Sequence, residues 1–229
     1  MIDYSDLVYG GWVEPKDNLC EEALNEIARD YIVNERIIIL AEGSSDINII
    51  KKTMEIRYPQ YIDFYAFMDF KTFKTQGSAS YLVKYVKAFI SSGLRNKIIA
   101  LFDNDLAAEE SLKELDIRKL PKNIRILKYP YLEFAEHYPT IDESGKVIER
   151  NINGVACSIE LYLGKDILFD AKTNRCSPVS SQGKLQDKNK IQKKYLNFLR
   201  KCSNNEDGCT EHDWSGMDLI IKSIFNAFK

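Results

Sequence analysis

The sequence has no CxxC pair, no apolar run of membrane-spanning length and no bulk excess of basic residues over its 229 positions. Its five cysteines are an odd number at irregular spacing. That pattern favours a reducing compartment over a disulfide framework or a zinc cluster. The net charge of -2 excludes the strongly basic class of nucleic-acid-binding proteins, so any site for a polyanion must be a local patch or depend on a metal ion.

The first residues, MIDYSDLVYGG, lack the basic and apolar segments of a secretory signal. Together with the missing membrane-spanning run, this leads us to expect a cytoplasmic protein without membrane contact. A chain of 229 residues, 45% of them hydrophobic, can bury one good core with a smaller appendage. We expect an N-terminal segment at 1–35 that packs on the core, a central domain at 36–170 and a helical C-terminal extension at 171–229.

Apolar runs alternate with helical periodicity through the first half of the chain. Four short runs rich in β-branched, aliphatic or aromatic residues predict buried strands at 36–41, 61–68, 97–102 and 123–129. The segments between them carry apolar side chains at helical spacing. This alternation favours βαβ crossovers. The predicted fold class is therefore α/β, with a mainly parallel four-stranded sheet flanked by helices and a small helical C-terminal extension.

Outside this alternation the pattern is less regular. A helix is predicted before the first strand, at 21–31, from one apolar stripe. Turn residues between two short runs predict a hairpin at 140–153. Apolar spacing and capping residues predict three more helices, at 155–163, 188–201 and 215–228.

Two of the predicted strands end in acidic residues. Glu42 follows the first strand, and Asp103 and Asp105 follow the third. In open α/β sheets, chemistry takes place just outside the carboxyl ends of parallel strands. If these strands are neighbours, their carboxylates converge in one crevice, and Asp46 lies one helical turn beyond Glu42. Carboxylates that close repel one another unless a hard cation neutralises them. The pattern predicts a site for Mg²⁺ or Mn²⁺.

Each of these acids also has a purely structural interpretation. A carboxylate near a helix N-terminus is favourable to the helix dipole. This interaction would be a sufficient explanation of Glu42 taken alone. For Asp46, the dipole interpretation and the metal interpretation have equal support. Asp105 can cap the helix that follows it. The metal interpretation is stronger for Asp103 with Asp105, because the apolar strand KIIALF brings both to the same edge.

The segment LAEGSSD, followed by a βα unit and then ALFDND, resembles the Toprim domain. Topoisomerases, DnaG-type primases and overcoming-lysogenization-defect nucleases share that domain. The form EGSSD is similar to the nuclease branch. Longer stretches look like bacterial HEPN/Toprim-associated proteins over roughly residues 36–200, namely YPQYIDFYAFMDF, LFDNDLAA, LPKNIRILKYP and NGVACSIELYLG.

The resemblance implies a nuclease that hydrolyses phosphodiester bonds with Mg²⁺ or Mn²⁺, on DNA rather than RNA, in bacterial defence against phage. It implies that Glu42, Asp103 and Asp105 bind the metal and that Asp46 is an accessory acid there. Glu42 is then also the candidate catalytic base. Lys128 corresponds to a lysine that holds the scissile phosphate, although a solvated lysine at a strand end is an equal alternative.

Several further polar residues have weaker interpretations. Lys71 and Lys74 lie in a basic loop with an aromatic residue, which is suited to hold a strand of nucleic acid, and a solvated loop explains them equally well. We expect Glu133 and Glu160 to be exposed helix acids rather than ligands of a second metal. The densest basic run is more typical of a solvent-exposed helix face than of phosphate contacts. It consists of Lys184, Lys188, Lys190, Lys193 and Lys194.

A different class of function stays open. The domain can be a non-catalytic Toprim module that binds nucleic acid or a partner effector protein. No Walker A sequence is present, so coupling to an ATPase would need another chain. A receiver-like phosphoacceptor domain also has acids at strand ends, but it does not explain the pair Glu42-Gly43. Self-association into a homo-oligomer is compatible with every one of these interpretations.

Overall fold

A computed structural model describes residues 5–11, 14, 35–69, 77–170, 175–204, 209 and 211–229. By its contacts the chain divides into two compact units, Met1–Glu35 and Arg36–Lys229. In the first unit the structure describes one short helix, α1 (Ser5–Tyr9). The helix predicted at 21–31 lies outside the described residues.

The second unit alternates strands and helices along its first half and is less regular afterwards. Its elements in chain order are β1 (Ile37–Ala41), α2 (Ser44–Arg57), β2 (Tyr65–Phe67), α3 (Ala79–Ser91), β3 (Ile98–Phe102), β4 (Asn104–Asp105), α4 (Leu106–Leu112), β5 (Ile124–Lys128), β6 (Tyr138–Ile141), β7 (Val147–Arg150), β8 (Ala156–Cys157), α5 (Lys165–Leu168), β9 (Phe169–Asp170), β10 (Arg175–Cys176), α6 (Lys188–Ser203) and α7 (Ser215–Asn226). Short 3-10 helices connect some of them, at Pro59–Phe64, Ile117–Lys119, Glu133–His137 and Ile159–Tyr162.

The core of this unit is a four-stranded sheet in the order β2-β1-β3-β5. All three pairings in it are parallel. The predicted α/β class with a parallel four-stranded sheet flanked by helices is therefore confirmed. All five residues of β3 are buried, as expected for a central strand covered on both faces.

Alternate residues of the two central strands pack into two separate cores. Ile39 and Ile99 face a core that contains α2 and the C-terminal helices α6 and α7. Leu40 and Ala100 face the opposite core, with Leu82 of α3. Side chains of a strand alternate between its faces, so a run of apolar residues supplies both layers at once. The sheet is consequently covered on both faces, and the polar residues Glu42 and Asp103 follow the carboxyl ends of its central strands.

The C-terminal helices are tied to α2 by polar contacts. The hydroxyls of Tyr195 in α6 and Thr53 in α2 lie 2.8 Å apart. Arg57 at the end of α2 forms an ion pair with Asp218 of α7, at 3.1 Å. The predicted helices at 188–201 and 215–228 are confirmed as α6 and α7.

The hairpin predicted at 140–153 is confirmed as the antiparallel pair of β6 and β7. The single helix predicted at 155–163 is wrong. The structure has strand β8 there, followed by a 3-10 helix at Ile159–Tyr162. The cause is a tertiary contact, because β8 pairs antiparallel with β4 directly after β3. This pairing holds Ala156 and Cys157 in an extended conformation, so a helix cannot run through 155–163.

The structure pairs Cys202 with Cys209 in a disulfide. The expectation of reduced cysteines is therefore not met at this pair. Cys202 lies in the last turn of α6, and irregular spacing in the sequence does not reveal that Cys209 is its partner. Cys157 and Cys176 are free thiols. None of the described helices is both long and apolar enough to span a membrane.

Candidate functional site

Two of the predicted acidic residues meet at the carboxyl edge of the sheet. Strands β1 and β3 are parallel neighbours, with Ala41 opposite Leu101, so the chain leaves both strands at the same edge. There the backbone amide of Asp103 donates a hydrogen bond to Oε1 of Glu42, at 2.9 Å. The structure thus brings the two motifs into direct contact.

The other two predicted acids lie close enough to act electrostatically on Glu42; the four acids Glu42, Asp46, Asp103 and Asp105 are called the acidic crevice. Asp46, in the first turn of α2, is buried. Asp105 is the N-cap of α4, and its Oδ1 accepts a hydrogen bond from the amide of Ala108 at 2.8 Å. The negative charges of Asp46 and Asp105 both act on Glu42. The capping role considered for Asp105 is thus present in the structure, and it leaves the second carboxylate oxygen for other contacts.

Burial and crowding favour the protonated forms of these acids. Burial raises the pKa of Glu42 to about 7, and the charges of Asp105 and Asp46 raise it too, while the hydrogen bond from Asp103 acts against them. Burial, with the charge of Glu160, raises the pKa of Asp46 to about 6. Burial and the charges of Asp46 and Glu42 raise the pKa of Asp103 well above its usual range. Such shifts are a recurrent feature of functional sites.

Glu160 is a buried neighbour of this crevice that sequence reasoning misplaced. Glu133 is exposed, as expected, whereas the prediction of an exposed acid is wrong for Glu160, which is fully buried. Its carboxylate accepts hydrogen bonds from Ser158 Oγ and Gln192 Nε2, each at 2.5 Å. Lys188 Nζ lies 3.3 Å from it. These three partners compensate the cost of burying the charge.

Lys188 belongs to the basic run for which the sequence favours a solvent-exposed helix face. Its side chain is 45% exposed, yet its ammonium group also acts electrostatically on Asp103 and Asp46. Lys188 and Gln192 are four residues apart in α6, so both lie on one face and reach Glu160 together. That spacing was visible in the sequence. The acid they share was not, because it comes from a distant 3-10 helix.

Of the three lysines predicted to contact phosphate, the structure describes Lys128. Lys128 is the last residue of β5 and is in register with Phe102, next to the acidic crevice. Its ammonium group lies 3.8 Å from the carboxylate of Glu109 in a half-exposed ion pair. Lys71 and Lys74 lie outside the described residues.

The donor chemistry of the crevice suits a hard divalent cation. In the described part of the chain, no three His, Cys, Asp or Glu side chains form a group that could hold a metal ion as they stand. Oδ1 of Asp103, however, is buried without a hydrogen-bond partner, and an unpaired buried carboxylate oxygen is costly. Several crowded carboxylates with such an oxygen match the preference of Mg²⁺ and Mn²⁺ for oxygen ligands. To bind such an ion, the carboxylates would have to rotate towards a common point.

No family model, no curated protein and no solved structure matches this chain, so the resemblance to Toprim domains depends on the motifs quoted above.

Proposed function

We propose that this protein is a Toprim-type nuclease that hydrolyses phosphodiester bonds with Mg²⁺ or Mn²⁺. The observation that supports this most directly is the contact of Glu42 with Asp103 at the carboxyl edge of the parallel sheet. Open α/β proteins bind their ligands at that edge. Asp103 Oδ1, buried there without a partner, supplies an oxygen suited to a cation.

The charge balance of the crevice favours cation binding. Glu42, Asp46, Asp103 and Asp105 interact unfavourably with one another. Two unit charges 4 Å apart interact by about 4 kcal/mol at an effective dielectric constant of 20. Lys188 offsets only part of this repulsion. A divalent cation would convert repulsion among the ionised acids into attraction, and we propose Glu42, Asp103 and Asp105 as its ligands, with Asp46 as the accessory acid.

Glu42 is suited to act as the general base. Without metal, burial raises the pKa of Glu42 to about 7, near physiological pH. A bound cation would lower this pKa and favour the carboxylate, the form that accepts a proton. When bound, the metal would neutralise phosphate charge and lower the pKa of its water. Lys128, at the end of β5, is the proposed partner of the scissile phosphate. Lys71 and Lys74 are proposed to contact the nucleic acid backbone.

The substrate and the setting follow from the resemblance to the nuclease branch of Toprim domains. We propose DNA as the substrate rather than RNA, and a cytoplasmic role in bacterial defence against phage. A partner effector protein and a homo-oligomer are both compatible with this role.

A second candidate function is a non-catalytic Toprim module that binds nucleic acid or a partner chain. Two observations favour it. Among the described residues no metal-binding group is formed, and the ammonium of Lys188 already acts on Asp46 and Asp103. In such a module the acids and Lys188 would be structural, and the purified protein would bind nucleic acid without cutting it.

Cleavage assays separate the two functions. We would incubate the protein with plasmid, linear DNA and RNA in Mg²⁺, Mn²⁺ or EDTA, and compare the wild type with Asp103→Ala. The matched control is Asp63→Asn, whose side chain is 89% exposed and pairs with Arg36. Cleavage that needs metal, is lost in Asp103→Ala and persists in the control supports the nuclease. Cleavage that persists in Asp103→Ala contradicts the assigned site, and binding without cleavage supports the module.

A further inference from the structure

Lys188 occupies a position where its positive charge is unfavourable unless nearby negative charges compensate it. It is the first residue of α6, where the helix dipole carries partial positive charge and disfavours a cation. The residue before it, Asp187, has φ 55° and ψ 21°, and among the described residues it is the one non-glycine with positive φ. Such backbone strain is tolerated where the surrounding structure enforces it. The position at the start of the helix indicates that the ammonium group is held there for a reason other than helix stability.

The compensation comes from the acidic crevice. Glu160 lies 3.3 Å from Lys188 Nζ and is itself fixed by Ser158 and Gln192. The charges of Asp103 and Asp46 attract the same ammonium group. Lys188 thus brings positive charge to the acids that surround the unpaired Oδ1 of Asp103, a residue that is only 9% exposed.

We infer that Lys188 is a built-in counter-ion of the acidic crevice, positioned by Glu160, and that it competes with a divalent cation for the same carboxylates. The competition rests on the metal-dependent function proposed above. It makes Lys188 a regulator of metal affinity, because every metal-binding event must overcome the attraction between the ammonium group and the acids. A merely structural lysine would have no such effect on the dissociation constant.

The direction of the effect distinguishes this role from others. Removing the positive charge strengthens the negative potential at the acids, so the metal should bind more tightly. Because about half of the Lys188 side chain is in water, its attraction to the acids is partly screened, and we expect about a tenfold lower dissociation constant for Mn²⁺. If Lys188 instead helped to build the metal site, its removal would weaken binding.

The chain offers matched variants for the test. Lys188→Met removes the charge, Lys188→Gln removes it but keeps a hydrogen-bond donor for Glu160, and Lys188→Arg keeps the charge. Lys190→Met removes a charge from the same helix, where Lys190 pairs with Asp170 at 2.9 Å. Mn²⁺ affinity is measured by isothermal titration calorimetry, so the readout does not depend on catalysis.

The inference expects tighter Mn²⁺ binding in Lys188→Met and Lys188→Gln, and wild-type affinity in Lys188→Arg and Lys190→Met. Equal or weaker binding in both neutral variants, with normal binding in the wild type, overturns the counter-ion role and leaves the metal site intact. Absence of Mn²⁺ binding in every protein overturns the proposed metal-dependent function together with this inference. Neutral variants that fold only when Mn²⁺ is added support the competition, and variants that stay unfolded at all Mn²⁺ concentrations overturn it.

Discussion

Gly77 packs so closely against Glu42 that a Cβ added to Gly77 would overlap the Glu42 carbonyl oxygen. Gly77 directly precedes Ser78, the N-cap of α3. The contact therefore joins the start of α3 to the turn that follows β1. Glycine is needed here because a side chain has no room, whereas a positive φ is not involved.

Gly77→Ala should therefore disturb both stability and the site. The new methyl group forces the Glu42 backbone to shift, and overpacking of this kind costs about 1–3 kcal/mol. We expect a lower free energy of unfolding in urea and a weaker response of the melting temperature to Mn²⁺. Gly93→Ala is the comparison. A Cβ at Gly93 meets nothing within 4 Å, so alanine there adds backbone strain from the φ of +67° but no overlap. An unaltered Mn²⁺ response in Gly77→Ala would show that the contact does not position Glu42.

The raised pKa values of the crevice predict how stability depends on pH. Glu42, Asp46 and Asp103 bind protons more tightly in the folded chain, where their pKa values are raised. Their stabilising contribution is complete below their ordinary pKa values, near pH 4, and is lost as the pH rises through about 6 for Asp46 and about 7 for Glu42. In EDTA we expect the free energy of unfolding to fall by about 1–3 kcal/mol over this window.

Asp103→Asn checks the origin of that pH dependence. The amide cannot ionise, and it relieves repulsion on Glu42 and Asp46. Its unfolding free energy in EDTA should match or exceed that of the wild type at pH 7, and the fall with pH should be smaller. Urea denaturation at several pH values measures both. A variant that is much less stable at pH 7 would indicate that Asp103 is a structural residue.

The part of the site that could be predicted from the sequence comes from neighbouring strands. Apolar runs place Glu42 and Asp103 at strand ends, and parallel pairing of β1 with β3 brings strand ends together. Local pattern is sufficient for that step. It does not reveal that Glu160 is buried, because its burial depends on Ser158, Gln192 and Lys188 meeting it from elsewhere in the fold.

The same limit explains the errors in secondary structure and cysteine state. The segment at 155–163 has an apolar spacing typical of a helix, yet pairing of β8 with β4 determines its backbone. The disulfide joins Cys202 of α6 to Cys209, whose Cα atoms lie 5.5 Å apart. Strands β4 and β8 are about 50 residues apart in sequence, so no local pattern contains their pairing. The two cysteines are seven residues apart, but their spacing does not show whether they are paired.

Glu160→Gln tests the network that holds Lys188. The glutamine has nearly the same shape, but it is neutral, so Lys188 loses its ion-pair partner. Because half of the Lys188 side chain is in water, we expect a loss of about 1–3 kcal/mol in urea rather than the larger loss seen for fully buried pairs. Glu149→Gln is the control, since Glu149 is 72% exposed in its pair with His137. Equal stability of the two variants would mean that the Glu160 network contributes nothing to the fold.

The response of melting temperature to Mn²⁺ tests the metal site without any knowledge of the substrate. The folded chain gathers Glu42, Asp46, Asp103 and Asp105, whereas the unfolded chain keeps them apart. A cation that binds the native state stabilises it by about 2.7 kcal/mol at a hundredfold excess over its dissociation constant. Mn²⁺ should act at a lower concentration than Mg²⁺, which keeps more of its water ligands.

Glu42→Ala should remove most of this stabilisation, because it deletes the carboxylate that meets the Asp103 motif. Glu55→Ala is the matched control, as Glu55 lies on the exposed face of α2 in a weak pair with Lys51 at 3.9 Å. We expect the wild type and the control to show the same rise in melting temperature with Mn²⁺, and Glu42→Ala to show little. Equal shifts in all three proteins would place the metal elsewhere. If the melting temperature of none of them changes with Mn²⁺, the acids and Lys188 do not bind metal, as expected for a non-catalytic module.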